Sequence, residues 1–380
     1  MADLPIYLDH HSTTPCDPRV LERMLPFFGE SFGNPASVTH PHGRRAATAL
    51  EDARASVADF LRVRPEEVFF TSGATESNNT ALRGILKAGG HAIASSIEHP
   101  SVLAPLRAME KQGVEVTLIP VDREGFVEPD AVREALRPST AIVSIMAANG
   151  EIGTIEPVAR IAEICRERSV PFHSDATQAV GKIPFDVSKM GCDLLSISAH
   201  KIYGPKGVGA LVARKGARPL PLLLGGGQEK GLRSGTVNVP GAVGLAAALE
   251  LRRAEMEGEA ARLTALRNGL WDRLVAEIPD ASVNGPRELR LPGNLNVSFR
   301  GVDAEAVLFA LRRFSLSTGS ACSSGDREPS SVLVAIGQDE ASALGSIRIG
   351  MGKSSSADEV ELLVSDLKVA LDRVREISPP

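Results

Sequence analysis

The pattern of apolar and polar residues predicts helices and strands in alternation through the first two thirds of the chain. ATALEDARASVADFL has helical periodicity, VFFT is a short apolar strand, and TESNNTALRGILKA returns to a helix. Further apolar strands are predicted at about 91–95, 115–120, 140–146, 170–174, 194–199 and 208–213. This alternation is typical of a mainly parallel sheet covered by helices, in which ligands bind at the carboxyl ends of the strands.

A different pattern follows Gly225-Gly226-Gly227, where a long charged helix is predicted over about 241–277. We interpret this helix as the bridge into a second domain, in which LNVSF and SIRIG are predicted strands and DAEAVLFALRRF is a predicted helix. In the last predicted helix, Ser356 and Glu359 form a capping box before an apolar repeat at helical spacing.

One lysine stands between two predicted strands, in LLSISAHKIYGPKGVGALVAR. The alternation before it predicts a half-buried strand that ends just before Lys201, with Ser198 and His200 on one face. Gly204-Pro205 and Gly207 then turn the chain into the second strand. Lys201 therefore lies at an element boundary, where functional residues gather, although a lone lysine beside a turn is more often an exposed loop residue.

Composition excludes several classes of function. The chain has 380 residues, of which 43% are hydrophobic and 23% charged, as expected for a globular protein large enough for two domains. A net charge of −5 and 4% aromatic residues argue against nucleic acid as a direct substrate. The sequence has no secretory signal pattern and no apolar run near the ~20 residues that span a bilayer, so a cytoplasmic location is predicted.

The four cysteines are widely spaced and never form a C-x-x-C pair, which argues against a zinc site and against a disulfide framework. Cys165 and Cys192 lie in apolar patterns and are predicted to be small buried hydrophobes. Cys322 lies in the Gly/Ser-rich stretch LSTGSACSSGDREP, where an accessible thiol suggests a chemical role. The adjacent pair His10-His11 cannot chelate a metal from one face, and no metal site is predicted.

A phosphate site is suggested by TSGATESNN, which follows a strand and opens a helix. Backbone N–H groups of Gly73, Ala74 and Thr75 would face a phosphate there, helped by the helix dipole, although ordinary Ser/Thr capping explains the residues equally well. GMGKSS has the ending of a P-loop, but Ile347 occupies the position of the required first glycine.

Two further residues are predicted to face the same crevice as Lys201. Asp175 closes a strand and could hold the ring nitrogen of a pyridine cofactor protonated while Lys201 binds that cofactor, or it could simply cap a helix. His99, in IEHPSVL, could stack on the ring and move protons, or cap the helix that follows it.

These motifs resemble the cysteine desulfurases, members of the class V aminotransferase group of pyridoxal-phosphate enzymes. The similarity runs nearly end to end, through YLDHHSTTP, FGNPAS, TSGATESNN, EHPSVL, NGEIGT, DATQAVGK, SAHKIYGPKGVG, GGGQEKGLRSGTVN, STGSACSSG followed by EPS, and SIRIGMG. It implies an α/β PLP-dependent transferase of fold type I: a large domain over residues 14–256 with a mainly parallel sheet covered by helices, and a smaller α+β domain. The small domain would comprise residues 1–13 and 257–380.

The resemblance also assigns residues by their position in these motifs. Lys201 matches the Schiff-base lysine, Asp175 the partner of the ring nitrogen, His99 the ring-stacking histidine and Gln178 the residue that bonds the cofactor's phenolic oxygen. The matching phosphate ligands are Ala74, Thr75, Ser198, His200 and, from the other subunit of an implied homodimer, Thr236.

Two residues match the pair that binds the substrate carboxylate, Asn149 and Arg348, and Cys322 matches the persulfide-forming nucleophile. The implied function is conversion of L-cysteine to L-alanine, with sulfur held on Cys322 for a sulfur-acceptor protein such as an iron-sulfur scaffold. Selenocysteine lyase, a plain aminotransferase and a non-catalytic binding relative are the alternatives. Gly150 and Lys353 depart from the family pattern without removing a named role.

Overall fold

The computed structural model describes residues 4–318 and 328–377, so Cys322 lies outside the described residues. The helices are α1 Pro18–Met24, α2 Pro41–Leu61, α3 Ala74–Ile85, α4 Pro100–Glu110, α5 Pro129–Ala135, α6 Val158–Glu167, α7 Val187–Met190, α8 Val239–Glu277, α9 Ala304–Ala310, α10 Ser331–Ala335, α11 Glu340–Leu344 and α12 Ala357–Ile377. The strands are β1 Ile6–Tyr7, β2 Val68–Thr71, β3 His91–Ser95, β4 Glu115–Ile119, β5 Thr140–Ser144, β6 Phe172–Asp175, β7 Leu194–Ser198, β8 Gly209–Ala213, β9 Ala281–Asn284, β10 Asn294–Phe299, β11 Phe314–Ser315 and β12 Ser346–Gly350.

Seven strands form the large sheet, in the order β2-β8-β7-β6-β5-β3-β4. Only β8 runs antiparallel to its neighbours, so the predicted mainly parallel sheet is confirmed. One face packs on α2, α6 and the first part of α8, and the other packs on α3 and α4. The carboxyl ends of β3, β6 and β7 therefore open at one edge, where parallel sheets bind ligands.

The strand before Lys201 differs from its sequence prediction. Every residue of β7 is buried, so the half-buried strand is wrong: helices cover both of its faces. Ser196 is satisfied inside the core by His173, whose Nε2 lies 3.0 Å from Ser196 Oγ. The strand ends at Ser198, and His200 lies in a 3-10 turn, Ala199–Lys201, rather than on the strand face with Ser198.

A second core forms around the antiparallel sheet β12-β10-β9, which packs on α12 and the second part of α8. The 39 residues of α8 thus contribute to both cores. The division into 14–256 and the remainder stays a prediction. The capping box of α12 is confirmed, because Ser356 N donates to Glu359 Oε2 at 3.0 Å and Glu359 N donates to Ser356 Oγ at 3.2 Å.

The N-terminal segment connects the two cores. β1 pairs in parallel with β11 in a separate two-stranded sheet, and a bridge from Asp9 to Gly350 joins the segment to β12 of the small sheet. Thr14 N then donates to the carbonyl of His200 at 2.9 Å, beside the end of β7. Residues 9–13 are thereby held across the carboxyl edge of the large sheet. Within residues 4–318 and 328–377, no helix is both long and apolar enough to cross a membrane.

Candidate active site

Lys201 occupies the end of the turn that follows β7. Its side chain is partly buried, and Nζ donates to the carbonyl oxygen of His11 at 2.7 Å and to that of Ser12. An ordinary exposed loop lysine would not be held by two main-chain carbonyls. The turn therefore places a primary amine at the carboxyl edge of the sheet, under the N-terminal segment.

Asp175 ends the neighbouring strand β6 and is 7% exposed. Its Oδ1 accepts from the backbone N–H of Thr177 at 3.0 Å, a local bond of the capping type. Its Oδ2 accepts from Asn78 Nδ2 at 2.7 Å, across 97 residues of sequence. Helix capping thus accounts for the hydrogen bond to Oδ1 only. The hydrogen bond to Oδ2 comes from Asn78 of α3.

A chain of hydrogen bonds continues from Asp175 to His99. Asn78 Nδ2 also donates to Ser101 Oγ at 2.8 Å, and that hydroxyl lies 2.7 Å from His99 Nδ1. His99 caps α4, since its Nδ1 accepts from Ser101 N at 3.0 Å, so the neutral ring carries its proton on Nε2. Desolvation lowers the pKa of His99, with Asp175 opposing and Lys201 adding to the decrease, which keeps the ring neutral.

The beginning of α3 forms the second side of the crevice. Its capping residue is Gly73, which has no side chain to accept the first N–H groups, so Ser/Thr capping does not describe this helix. A Cβ on Gly73 would lie 3.7 Å from Ser198 Oγ, and one on Gly209 would lie 2.8 Å from Gly73 Cα. The loop therefore passes close over β8 and brings the positive end of the helix to Ser198.

His200 adds a third group near this end. Its Nδ1 lies 3.1 Å from Thr13 Oγ1, and burial, followed by the charge of Lys201, lowers the pKa of His200 to about 4. Helix N–H groups, a serine hydroxyl and a neutral imidazole are suitable donors for a phosphate. Thr75 and Thr236 are both exposed.

Arg348 reaches the crevice from β12 of the small sheet. Its Nη2 donates to Asp9 Oδ1 at 2.8 Å and to Ser12 Oγ at 2.6 Å, while Nη1 donates to the carbonyl of Gly150 at 3.4 Å. Its buried Nε has no hydrogen-bond partner among the described residues. A guanidinium held on one side with two N–H groups left over, on Nε and Nη1, is suited to an anionic group such as a carboxylate.

Asn149, next to Gly150 in the chain, is buried. Its Oδ1 accepts from the N–H groups of Glu151 and Ile152 at 2.8 and 3.0 Å, and its Nδ2 donates to the carbonyl of Ile97 at 3.2 Å. Most of its hydrogen-bonding capacity therefore holds the local loop. Its Nδ2 also donates to Met146 Sδ at 3.5 Å, a weak acceptor, so a contact with substrate would replace that bond.

Sequence reasoning singled out neither Asn78 nor Ser101, nor the Asp9 and Ser12 partners of Arg348. All four lie in motifs that carried the family resemblance, TSGATESNN, EHPSVL and YLDHHSTTP. The sequence motifs therefore contained these residues. Spacing along the chain, however, does not indicate which side chains meet when the elements pack.

Comparison with known proteins identifies the family to which this site belongs. Residues 6–363 match the family model Aminotransferase class-V. The chain is 48% identical over 382 residues to cysteine desulfurase IscS of Anaeromyxobacter dehalogenans (strain 2CP-C), covering 99% of this chain and 95% of that protein. The chain belongs to the cysteine desulfurases of this family.

Two solved structures extend the comparison. A NifS-like protein has a TM-score of 0.91 and 38% identity, covering 97% of this chain and 100% of its own. A structure of SspA in complex with cysteine has a TM-score of 0.82 and 38% identity, covering 91% of this chain and 98% of its own. The family resemblance and the fold type that it implied are confirmed.

The described cysteines of this desulfurase family member all have raised thiol pKa values. Cys165 and Cys192 are buried, as predicted, and burial raises the pKa of each thiol to about 12. Burial also raises the pKa of Cys16, and the carboxylate of Asp17 raises it further. Thiolate, the nucleophilic form, is therefore suppressed at all three.

Proposed function

We propose that this protein converts L-cysteine to L-alanine and retains the sulfur as a persulfide on Cys322. One observation of the site carries the proposal: a lysine amine, a buried carboxylate and the start of a helix meet at one edge of the large sheet. The 48% identity to a cysteine desulfurase over almost the whole chain supports the same reaction, as does the neighbouring SspA structure in complex with cysteine.

The residues present fit pyridoxal 5′-phosphate. Lys201 would hold its aldehyde carbon, Asp175 its ring nitrogen, and the start of α3 with Ser198 its phosphate. Asn78 Oδ1 and Thr177 Oγ1, both buried next to Asp175, have no partner among the described residues, which suits a polar ligand. When bound, this cofactor supplies an electron sink that stabilises negative charge at the substrate Cα.

Around that group, each side chain has a proposed task. Asp175 keeps a proton on the ring nitrogen, because a carboxylate held by Asn78 favours a cation beside it. Lys201 would accept the proton from the substrate Cα. Arg348 binds the substrate carboxylate through its two remaining N–H groups, on Nε and Nη1, and His99 offers its Nε2 proton to the crevice.

Cys322 would then attack the substrate sulfur as a thiolate. The carbon–sulfur bond breaks, its electron pair stays with the carbon fragment, which takes up a proton at Cβ to become alanine, and the sulfur stays on the protein. Cys322 lies outside the described residues, and its assignment is supported by motif and by the suppressed reactivity of the other thiols. A sulfur-acceptor protein, such as an iron-sulfur scaffold, would take the sulfur from this position.

A homodimer is proposed because Thr236 is exposed and so accessible to a second subunit. The family resemblance assigns Thr236 as a phosphate ligand in the site of that second subunit. Leu220 and Leu224, 60% and 84% exposed, lie on the same connection between β8 and α8 and could pack against a second copy. Sedimentation equilibrium measures this oligomeric state directly.

A cytoplasmic location stays a prediction, which subcellular fractionation can test.

The function is tested with purified protein, pyridoxal phosphate, L-cysteine and a reductant. Sulfide and alanine are expected in equal amounts, because each sulfur removed leaves one alanine. Alanine without sulfide would contradict the proposal, and a protein that takes up no cofactor would favour a non-catalytic relative. Parallel assays with L-selenocysteine distinguish a selenocysteine lyase, which would leave L-cysteine untouched.

Asp175→Asn is expected to keep measurable cofactor binding and lose about 100-fold or more in activity, the usual scale for an electrostatic group at a reaction centre. An amide cannot hold the ring nitrogen protonated as a carboxylate does, whereas it preserves the size and the bond with Asn78. Cofactor titration and turnover are measured on the same samples. Asp52→Asn, at an exposed position of α2, is the matched control, and full activity in Asp175→Asn would reduce Asp175 to a capping residue.

A further inference from the structure

Lys182 is a second lysine near Lys201 that the proposed reaction does not use. Its Nζ donates to Gln178 Oε1 at 2.5 Å, four residues back along the chain. Gln178 Nε2 in turn donates to the carbonyl of His11 at 2.9 Å, the same oxygen that accepts from Lys201 Nζ at 2.7 Å. Lys182 is therefore connected to Lys201 through one amide and one shared carbonyl.

These contacts admit only one orientation of the Gln178 amide. Its Oε1 faces Lys182 Nζ and also His11 Nδ1, at 3.2 Å, while its Nε2 faces a carbonyl oxygen. A flipped amide would give up the bond that Oε1 accepts from Lys182 and would set its oxygen against the His11 carbonyl, which loses two hydrogen bonds and adds one repulsive contact. The second N–H of Nε2 stays available beside Lys201.

The surroundings of Lys182 disfavour the charged form of its side chain. Burial lowers the pKa of Lys182 well below its usual value, and the cations Lys201, Arg348 and Arg252 lower it further, opposed by Glu259. Neutral His11, whose pKa is likewise held well down by burial and by Lys182, faces it at 3.5 Å. Such a position costs stability unless the side chain makes a needed contact.

A small cavity of about 30 Å³ lies next to these groups. Lys182, His11, Tyr203 and Glu259 contribute polar groups to its wall, and the buried His11 Nε2 has no partner among the described residues. The space and the polar wall suit one ordered water. Lys182, on the wall of this cavity, thus contacts Gln178 Oε1 and, at 3.5 Å, His11 Nδ1.

We propose that Lys182 is a positioning residue that fixes the amide orientation of Gln178, and so presents an N–H donor rather than a carbonyl to a ligand held by Lys201. This inference rests on the proposed cofactor site, since it concerns which atom of Gln178 faces the cofactor. It predicts that Lys182 acts only through Gln178.

The test is a double-mutant cycle on the full chain with Lys182→Met, Gln178→Ala and both together, read by the dissociation constant of pyridoxal phosphate and by the visible absorbance of the bound cofactor. Lys182→Met is expected to weaken cofactor binding about fivefold, the scale of one hydrogen bond, and to alter the absorbance. In the Gln178→Ala background it should add nothing. Lys182→Gln, which retains an N–H donor, should stay within about twofold of wild type.

Lys189→Met, at an exposed position of α7, is the control for removing a lysine charge and should match wild type. Additive losses in the double variant would overturn the inference, and so would wild-type cofactor binding in Lys182→Met. If Lys182→Met did not fold, a fivefold loss in Lys182→Gln would overturn it equally. Failure of the wild type to bind cofactor at all would instead overturn the proposed function and the inference together.

Discussion

Lys201→Ala is expected to abolish turnover, with a loss of about 1,000-fold or more, because it removes both the cofactor's attachment point and the proposed base for the substrate Cα proton. The structure also shows a cost to stability that sequence alone does not indicate. Nζ holds the carbonyls of His11 and Ser12, so its loss should lower the free energy of unfolding by about 1–3 kcal/mol. Alanine release and urea unfolding are the two measurements.

Lys215→Ala is the matched control, since Lys215 is an exposed lysine in the turn that follows β8. It should retain wild-type turnover, and both variants should give the wild-type circular dichroism spectrum. The assignment of Lys201 is wrong if its alanine variant, supplied with excess cofactor, still turns over near the wild-type rate.

The order of helices and strands was predictable because local periodicity carries it. Predicted strands at 91–95 and 208–213 correspond to β3 and β8, and the charged helix over 241–277 corresponds to α8. The predicted helix DAEAVLFALRRF is longer than the real one, because α9 stops at Ala310 and Phe314 pairs with β1. Where strand pairing competes with local helix propensity, the sequence pattern overestimates the length of the helix.

Burial of polar residues could not be read from the pattern. Ser196 has the alternation of a solvent-facing residue, but it lies in the core because His173, on the neighbouring strand, supplies its hydrogen bond. The bonds of Asn78 to Asp175 and of Arg348 to Asp9 join residues 97 and 339 positions apart. Such contacts depend on how whole elements pack, whereas sequence motifs indicate only that each residue type is present.

His11 shows how the structure changes the meaning of a motif. Adjacent histidines raised the question of a metal site, and the structure instead buries His11 beside Gln178 and Lys182 while its main-chain carbonyl receives Lys201. The contribution of this residue to the crevice is therefore largely made by its backbone oxygen. Side-chain chemistry, the basis of motif reasoning, does not reveal that role.

Cys322→Ser is expected to bind cofactor and L-cysteine and to form no persulfide. Attack on sulfur requires a soft nucleophile that is partly ionised near neutral pH, and a serine hydroxyl is neither. The other three thiols cannot substitute for it readily, because their pKa values are raised, to about 12 for Cys165 and Cys192. The measurement is intact-protein mass after substrate and alkylation, looking for one added sulfur that a reductant removes.

Single Cys→Ser variants at 16, 165 and 192 are the matched controls, and each should still gain the sulfur. Sulfur that persists in the Cys322 variant and disappears in one of the others would move the nucleophile to that residue. A selenocysteine-specific lyase predicts a third result: L-selenocysteine would be cleaved at an undiminished rate without Cys322, because selenium leaves carbon more readily than sulfur and needs no thiolate to receive it. The comparison of both substrates in one variant therefore separates a desulfurase that depends on its thiol from a lyase that does not.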